Sequence, residues 1–243
     1  MTTDTIRADF DRLARLDDDG WNHNRHYHPY LLKHIPSTCD QALEIGCGTG
    51  SFARRLAQRA RRVLALDLSP AMVGIATARS CDYTNIEYQI ADVNAWGFPR
   101  HGFDVIASIA TLHHLPLDSL LKKMSDALKP GGVLLILDLY EAETLSEKLP
   151  SLAALPASVV LQLFYTGRIR SPDAVRQAWA EHGKHDAYLR LSQVRQACAA
   201  VIPNAVIKRH LLWRYSIVWR KPPVPASYRR TLPGKSEDRG TES

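Results

Sequence analysis

The chain has 243 residues, 45% hydrophobic and 23% charged, enough for one sizeable core plus a small accessory unit and unlike a collagen-like, coiled-coil or wholly disordered sequence. Its net charge of +6 invites a nucleic-acid partner, yet residues 1–40 carry −2, 41–140 carry +1, 141–204 carry +1, 205–220 carry +4 and 221–243 carry +2. The excess lies in the last 39 residues. No apolar run approaches bilayer length, the longest strong one being Val133 to Leu137, and the Asp-dotted start has no signal-peptide core, so a cytoplasmic protein without a membrane partner is expected. The cysteines Cys39, Cys47, Cys81 and Cys198 form no CxxC pair and read as unpaired thiols.

In chain order, Ala42 to Ile45 is a short apolar run that ends in a glycine-rich turn. Phe52 to Arg62 has helical spacing, with Phe52, Leu56 and Ala60 on one face. Val63 to Leu66 is a second strand, and Ser69-Pro70 reads as the N-cap and first residue of a helix running to Arg79. Ile86 to Ile90 and Phe103 to Ile109 are further strands, Leu117 to Leu128 is a helix, and Lys129-Pro130-Gly131-Gly132 is a turn before a fifth strand, Val133 to Leu137. Strands alternating with helices predict a parallel sheet covered on both faces. Beyond Leu139 the pattern becomes helical: Leu145 to Phe164 broken near Pro150 and Pro156, a helix opened by Ser171-Pro172-Asp173 and ending near Gly183, and Ser192 to Val201. Ala205 to Leu212 and Arg214 to Trp219 read as an antiparallel strand pair with almost no turn between them. The Pro-, Ser- and charge-rich stretch from Pro222 is expected to be disordered.

The chemistry concentrates in Glu44-Ile45-Gly46-Cys47-Gly48-Thr49-Gly50, between the first strand and the first sheet helix. Glycines there let backbone amides approach a ligand, and the helix N-terminus behind them favours negative charge. The spacing is G-x-G-x-G; a dinucleotide fingerprint needs its third glycine at position 51, which is Ser51. Asp67 ends the second strand, 21 residues after Gly46, where a carboxylate can accept from two ribose hydroxyls. Asp92 follows the third strand, where it can accept from an adenine amino group.

These segments, with Phe103-Asp104-Val105-Ile106 and the Lys-Pro-Gly-Gly turn, resemble the class I S-adenosylmethionine (SAM)-dependent methyltransferases over roughly residues 41–140, and the closing strand pair extends the likeness. The resemblance implies an α/β, Rossmann-like seven-stranded sheet of five parallel strands and an antiparallel hairpin. It divides the chain into a lid (1–40), a SAM-binding core (41–140), an inserted helical cap (141–204), the final strand pair (205–220) and a tail (221–243). It implies that Gly46 and Gly48 line the methionine half of SAM, that Glu44 contacts the ligand or orients the loop, and that Asp67 holds the ribose. Asp92 and Val93 would hold the adenine, with Leu68 and Met72 packed on it, and Ile109 would lie near the sulfonium.

Methyl transfer is an in-line displacement in which orientation alone supplies much of the rate, so a base is needed only when the acceptor carries a proton. His113 and His114, after the fourth strand, are the candidate bases. The aromatic segment Trp21 to Tyr30 is expected to close over the site, with His26, Tyr27 and Tyr30, and Tyr165 from the cap, as contacts to SAM or acceptor. His26 and His28 lack an evident third ligand, and no metal is expected. Ile109-Ala110-Thr111-Leu112 stands where relatives that methylate planar nitrogens often carry an Asn/Asp-Pro-Pro-Tyr motif, which disfavours that chemistry. A helical cap with Phe164, Tyr165, Trp179 and Tyr188 suggests a small, partly hydrophobic acceptor methylated on oxygen, nitrogen or carbon. An RNA methyltransferase is the alternative, disfavoured by the near-neutral core; a non-catalytic scaffold and an NAD-dependent dehydrogenase fit the loop less well.

Overall fold

The computed structural model describes residues 2–16, 20–143, 145–170, 172–184 and 186–223. The chain opens with helices α1 (Thr3–Ala14), α2 (His23–His26) and α3 (His28–Leu32). Strands and helices then alternate: β1 (Gln41–Ile45), α4 (Ser51–Ala57), β2 (Arg62–Asp67), α5 (Pro70–Ala78), β3 (Ile86–Ile90), β4 (Phe103–Ile109), α6 (Leu117–Ala127) and β5 (Leu128–Leu139). Helices α7 (Leu145–Thr166), α8 (Asp173–Gly183) and α9 (Leu191–Val201) precede β6 (Val206–Arg209) and β7 (Arg214–Arg220).

The seven strands form one sheet in the order β3-β2-β1-β4-β5-β7-β6. The first five are parallel, and β7 runs antiparallel to both β5 and β6. Because side chains alternate across a strand, each central strand feeds two cores. Leu43, Ile45, Ile106, Leu134 and Ile136 point to a core shared with α6 and α9. Ala42, Val105, Ala107, Val133, Leu135 and Leu137 point to one shared with α3 and α4. A third, smaller cluster joins Leu13 and Ala14 of α1, Met72 of α5 and Ala178 of α8.

Several boundaries differ from the sequence reading. Helix α4 stops at Ala57, since Arg62 already belongs to β2. The Lys-Pro-Gly-Gly segment lies inside β5: the register jumps from Phe103↔Leu128 to Val105↔Val133, so the extra residues bulge from a continuous strand instead of turning it. Gly131 takes φ +81° there. Helix α7 runs unbroken through Pro150 and Pro156, the helix-forming Leu- and Ala-rich stretch around them outweighing the loss of two amide donors. Within the stretch expected to form a cap, helix α9 buries its stripe Leu191, Val194 and Cys198 against the same core as α6. Residues 210–213 form a real turn between β6 and β7, with Leu212 and Trp213 at positive φ. Of the tail expected to be disordered, residues 224–243 lie outside the described residues. Among the described residues no helix is long and apolar enough to cross a membrane. All four cysteines are free, and all but Cys81 are buried.

Candidate active site

The sheet order reverses between β1 and β4, whose neighbours on the far sides are β2 and β5. At such a switch point the loops leaving adjacent carboxyl ends diverge and open a crevice. Here it is a cavity of about 840 Å³, lined by the ends of β1, β2, β4 and β5, by α1 and the segment before α2, and by the facing parts of α7 and α8.

At one end of the cavity the loop after β1 doubles back beneath β2, with the amides of Gly46 and Cys47 donating to the carbonyl of Leu66 (2.8 and 2.9 Å). Gly46 has φ +70°, and a Cβ added to it would lie 2.1 Å from Thr111 Oγ1. Gly48, also at positive φ, has open space where its Cβ would be. The Asp67 carboxylate accepts from the amides of Gly48 (2.7 Å) and Ser69 (2.9 Å), tying the two loops together. Burial raises its affinity for a proton, and those amides oppose the rise. Glu44 is fully buried below the loop, with Oε2 unpartnered among the described residues. Burial first, and then the nearby charge of Asp67, lift its carboxyl well above the ordinary range. Asp92 shapes the turn after β3 by accepting from the amide of Asn94 (2.9 Å).

The other end is built from groups distant in sequence. Ala110 leaves β4 at φ +52° and turns the chain so that Thr111 to His114 run along the cavity wall. His113 Nδ1 donates to Asp138 Oδ1 (2.7 Å), and its backbone amide donates to Asp138 Oδ2 (3.1 Å). Asp138 ends the apolar run of β5, completely buried. The Nδ1–H bond fixes the tautomer, so a neutral His113 carries its lone pair on Nε2. That atom is 3.9 Å from Asp186 Oδ2, and His114 Nδ1 is 3.7 Å from Asp186 Oδ1. Burial, then the His113 charge, pull the His114 imidazole down to about 4. Tyr188 donates to Asp186 Oδ2 (2.8 Å). Phe10 and Trp179 pack their rings against His182, the next imidazole beyond.

Every cofactor-side candidate from the sequence, Glu44, Gly46, Gly48, Asp67, Leu68, Met72, Asp92, Val93 and Ile109, lines this cavity, as do His113 and His114. The lid candidates lie elsewhere. His26 is exposed, Tyr27 and Tyr30 pack against His210, and Tyr165 stacks on Trp21, all four outside the cavity wall. Tyr27 donates its hydroxyl proton to the Leu211 carbonyl in the β6–β7 turn. From this segment Asn22, His23, Asn24, Arg25 and His28 line the cavity instead. Arg25 reaches the start of α4, donating from Nε to Ser51 Oγ (2.7 Å). His28 is buried and His26 exposed, so the two do not converge. Sequence reasoning missed Asp138, Asp186, His182 and Arg214, and named Tyr188 only among the cap aromatics. Asp138 had a signal, as a lone acid at the carboxyl end of a buried parallel strand; the others, from the insertion and the last strand, had none.

A methyltransferase-domain family model matches residues 42–132. An uncharacterised methyltransferase of Mycobacterium bovis is 28% identical over 212 residues, covering 84% of this chain and 99% of that one. The malonyl-[acyl-carrier protein] O-methyltransferase of Serratia marcescens is 30% identical over 163 residues, 66% of this chain and 52% of that one. Among solved structures, geranyl diphosphate C-methyltransferase from Streptomyces coelicolor, in complex with Mg2+, geranyl diphosphate and S-adenosyl-L-homocysteine (SAH), superposes with a TM-score of 0.63 at 12% identity, covering 90% of this chain and 97% of that one.

Proposed function

We propose that the chain is a class I SAM-dependent methyltransferase that binds SAM at the glycine-loop end of its cavity and methylates a small, partly hydrophobic molecule held at the histidine end. One observation carries this reading: a single cavity joins the Gly46–Asp67–Asp92 end to the His113–Asp138–Asp186 end, beneath a wall of α1, α7 and α8.

The residues fit the cofactor. Glu44 Oε2 is a buried acceptor without a partner among the described residues, suited to an ammonium group. The open space at Gly48 admits a ligand against bare backbone. Asp67 and Asp92 are the ribose and adenine acceptors, Val93, Leu68 and Met72 supply apolar contact to the base, and Ile109 flanks the reacting centre. Arg25, beside the start of α4, neutralises the cofactor's carboxylate. When bound, SAM supplies a methyl group on a positively charged sulfur. The chain's own groups set the rest. Leu13, Leu16 and Trp179 line the cavity and would narrow access to the reacting atoms, and the His113–His114–Asp186 cluster, oriented by Asp138, would draw a proton from the acceptor.

The methylated atom in this reading is an oxygen, nitrogen or carbon, and one relative named above is an O-methyltransferase. The enclosing insertion favours a small acceptor over RNA. Calorimetric titration with SAH tests the cofactor site: 1:1 binding supports it, and no binding defeats it. Incubation of a cell extract with methyl-labelled SAM, followed by fractionation, separates the acceptor classes, with label expected in small molecules; label confined to RNA would establish the other reading.

A further inference from the structure

Four side chains at the acceptor end are arranged in a way that hydrogen bonding alone leaves unsatisfied. The side chains of His113, His114 and Asp186 are 5%, 7% and 3% exposed. His113 has spent its Nδ1 proton on Asp138, so in the neutral ring the Nε2 lone pair faces a carboxylate oxygen of Asp186. Asp186 Oδ1 is buried with no hydrogen-bond donor among the described residues, although His114 Nδ1 and His182 Nε2 stand 3.7 and 3.6 Å away. Imidazole nitrogens and a carboxylate thus converge on one small volume without a hydrogen bond from His114 or His182 to Asp186 Oδ1. One ligand atom from each of His113, His114 and Asp186 lies within 4.8 Å of the others. Two donors on one tetrahedral Zn2+ are about 3.4 Å apart, given metal–ligand distances of about 2.0–2.2 Å. His113 Nε2 and His114 Nδ1 now stand 3.9 and 3.7 Å from different oxygens of Asp186, and drawing all three donors from within 4.8 Å to that spacing takes side-chain movements of about an ångström.

We propose that His113 Nε2, His114 Nδ1 and a carboxylate oxygen of Asp186 bind a divalent transition-metal cation, Zn2+ in particular, with an open coordination position facing the cavity for an oxygen of the methyl acceptor. Two imidazoles and one carboxylate form a nitrogen-and-oxygen set typical of Zn2+ sites that keep a free position. The surroundings are those of such a site. Asp138 holds the far nitrogen of His113, as outer carboxylates hold metal-binding histidines, and Tyr188 holds the second oxygen of Asp186. Phe10, packed edge-on against His114 and His182, supplies an apolar shell. All three ligand residues line the cavity, so a fourth ligand can come from the acceptor.

This inference rests on the reading of the cavity as a methyltransferase site and deepens it. With the cation present, the His113 lone pair is a ligand, and the acceptor's O–H is acidified by coordination: the bond breaks with its electron pair left on oxygen, and the proton leaves to solvent. The acceptor is then an alcohol, phenol or enol, in preference to an amine.

The test uses the full chain, stripped by a chelator and titrated with Zn2+ alone by calorimetry, with bound metal counted by mass spectrometry. One equivalent per chain is expected. Asp186→Asn and His114→Gln should each weaken binding at least 100-fold, and Asp138→Asn, which removes no ligand, about 10–100-fold. Co2+ in place of Zn2+ should give the visible absorption of a low-coordinate nitrogen-and-oxygen site. Failure to bind Zn2+, or undiminished binding in both ligand variants, overturns the proposal. SAH titration of the stripped protein keeps the two readings apart: if SAH binds while Zn2+ does not, the metal site alone is refuted.

Discussion

The contact of Gly46 with Thr111 gives a direct test of what holds the cofactor loop in shape. In Gly46→Ala the new methyl would lie 2.1 Å from Thr111 Oγ1 and 2.5 Å from its Cγ2. Two costs follow. Holding an alanine at φ +70° costs about 1–2 kcal/mol, and forcing a methyl into occupied space adds about 1–3 kcal/mol. A loss near 3 kcal/mol in a domain of this size lowers Tm by about 6–12 °C. Gly48→Ala is the control. Its φ of +51° carries the same conformational cost, but its Cβ meets nothing within 4 Å, so the expected fall is about 2–8 °C. SAH affinity should drop about tenfold in that variant, because the methyl projects from the cavity wall. Thermal melts of a double-mutant cycle with Thr111→Gly separate the terms: a coupling above about 1 kcal/mol is expected with Gly46→Ala and below about 0.5 kcal/mol with Gly48→Ala. Equal couplings, or a Gly46→Ala protein melting within about 2 °C of the parent, would refute the argument that Thr111 fixes the loop.

Other consequences are open to measurement. Asp67→Ala removes the acceptor for the Gly48 and Ser69 amides and the proposed acceptor for the ribose, and should weaken SAH binding by about 1–3 kcal/mol; unchanged calorimetric affinity would remove Asp67 from the site. Tyr27→Phe deletes the bond to Leu211 and leaves a carbonyl unpaired, so Tm should fall by about 2–6 °C with SAH affinity unaltered. A parallel loss of SAH affinity would put Tyr27 back among the binding residues. Burial, then the charges of Arg25 and Arg55, pull the His28 imidazole from 6.5 down to about 3. The unfolded chain takes up that proton as pH drops through 6.5 while the folded one resists until about 3, so stability declines across this window. His28→Leu should therefore reduce the slope of urea midpoint against pH between 7 and 4; an identical slope would show that His28 does not take part.

The sheet was legible from residues 41–140 because buried parallel strands and their flanking helices leave distinct periods, and because the loop at Gly46 and the acid at Asp67 stand at fixed positions relative to them. The lid was harder. A helix of four residues ends at His26 and another begins at His28, with Tyr27 as the cap between them, so no single helical period runs through the segment. His23 and His28 consequently face inward while Tyr27 and Tyr30 pack toward β6 and β7. The histidine cluster was legible only in part: His113 and His114 follow β4 directly, but Asp138 ends the next strand, and His182 and Asp186 come from a helix and a loop whose docking depends on contacts with α1.

The ties between the lid and the last hairpin also bear on the order in which the molecule can be completed. Tyr27 bonds to Leu211, 184 residues away, and the buried Arg214 donates to Asn24 Oδ1 at 2.7 Å across 190 residues. Both ties need the β6–β7 turn. During synthesis residues 21–32 can settle on α4 through Arg25 to Ser51 and His28 against Phe52, but their ties to the closing hairpin form only after it has left the ribosome. Pairings so distant in sequence are slow to form. A nascent chain halted before residue 205 would therefore carry the glycine loop with residues 21–32 untied from β6 and β7.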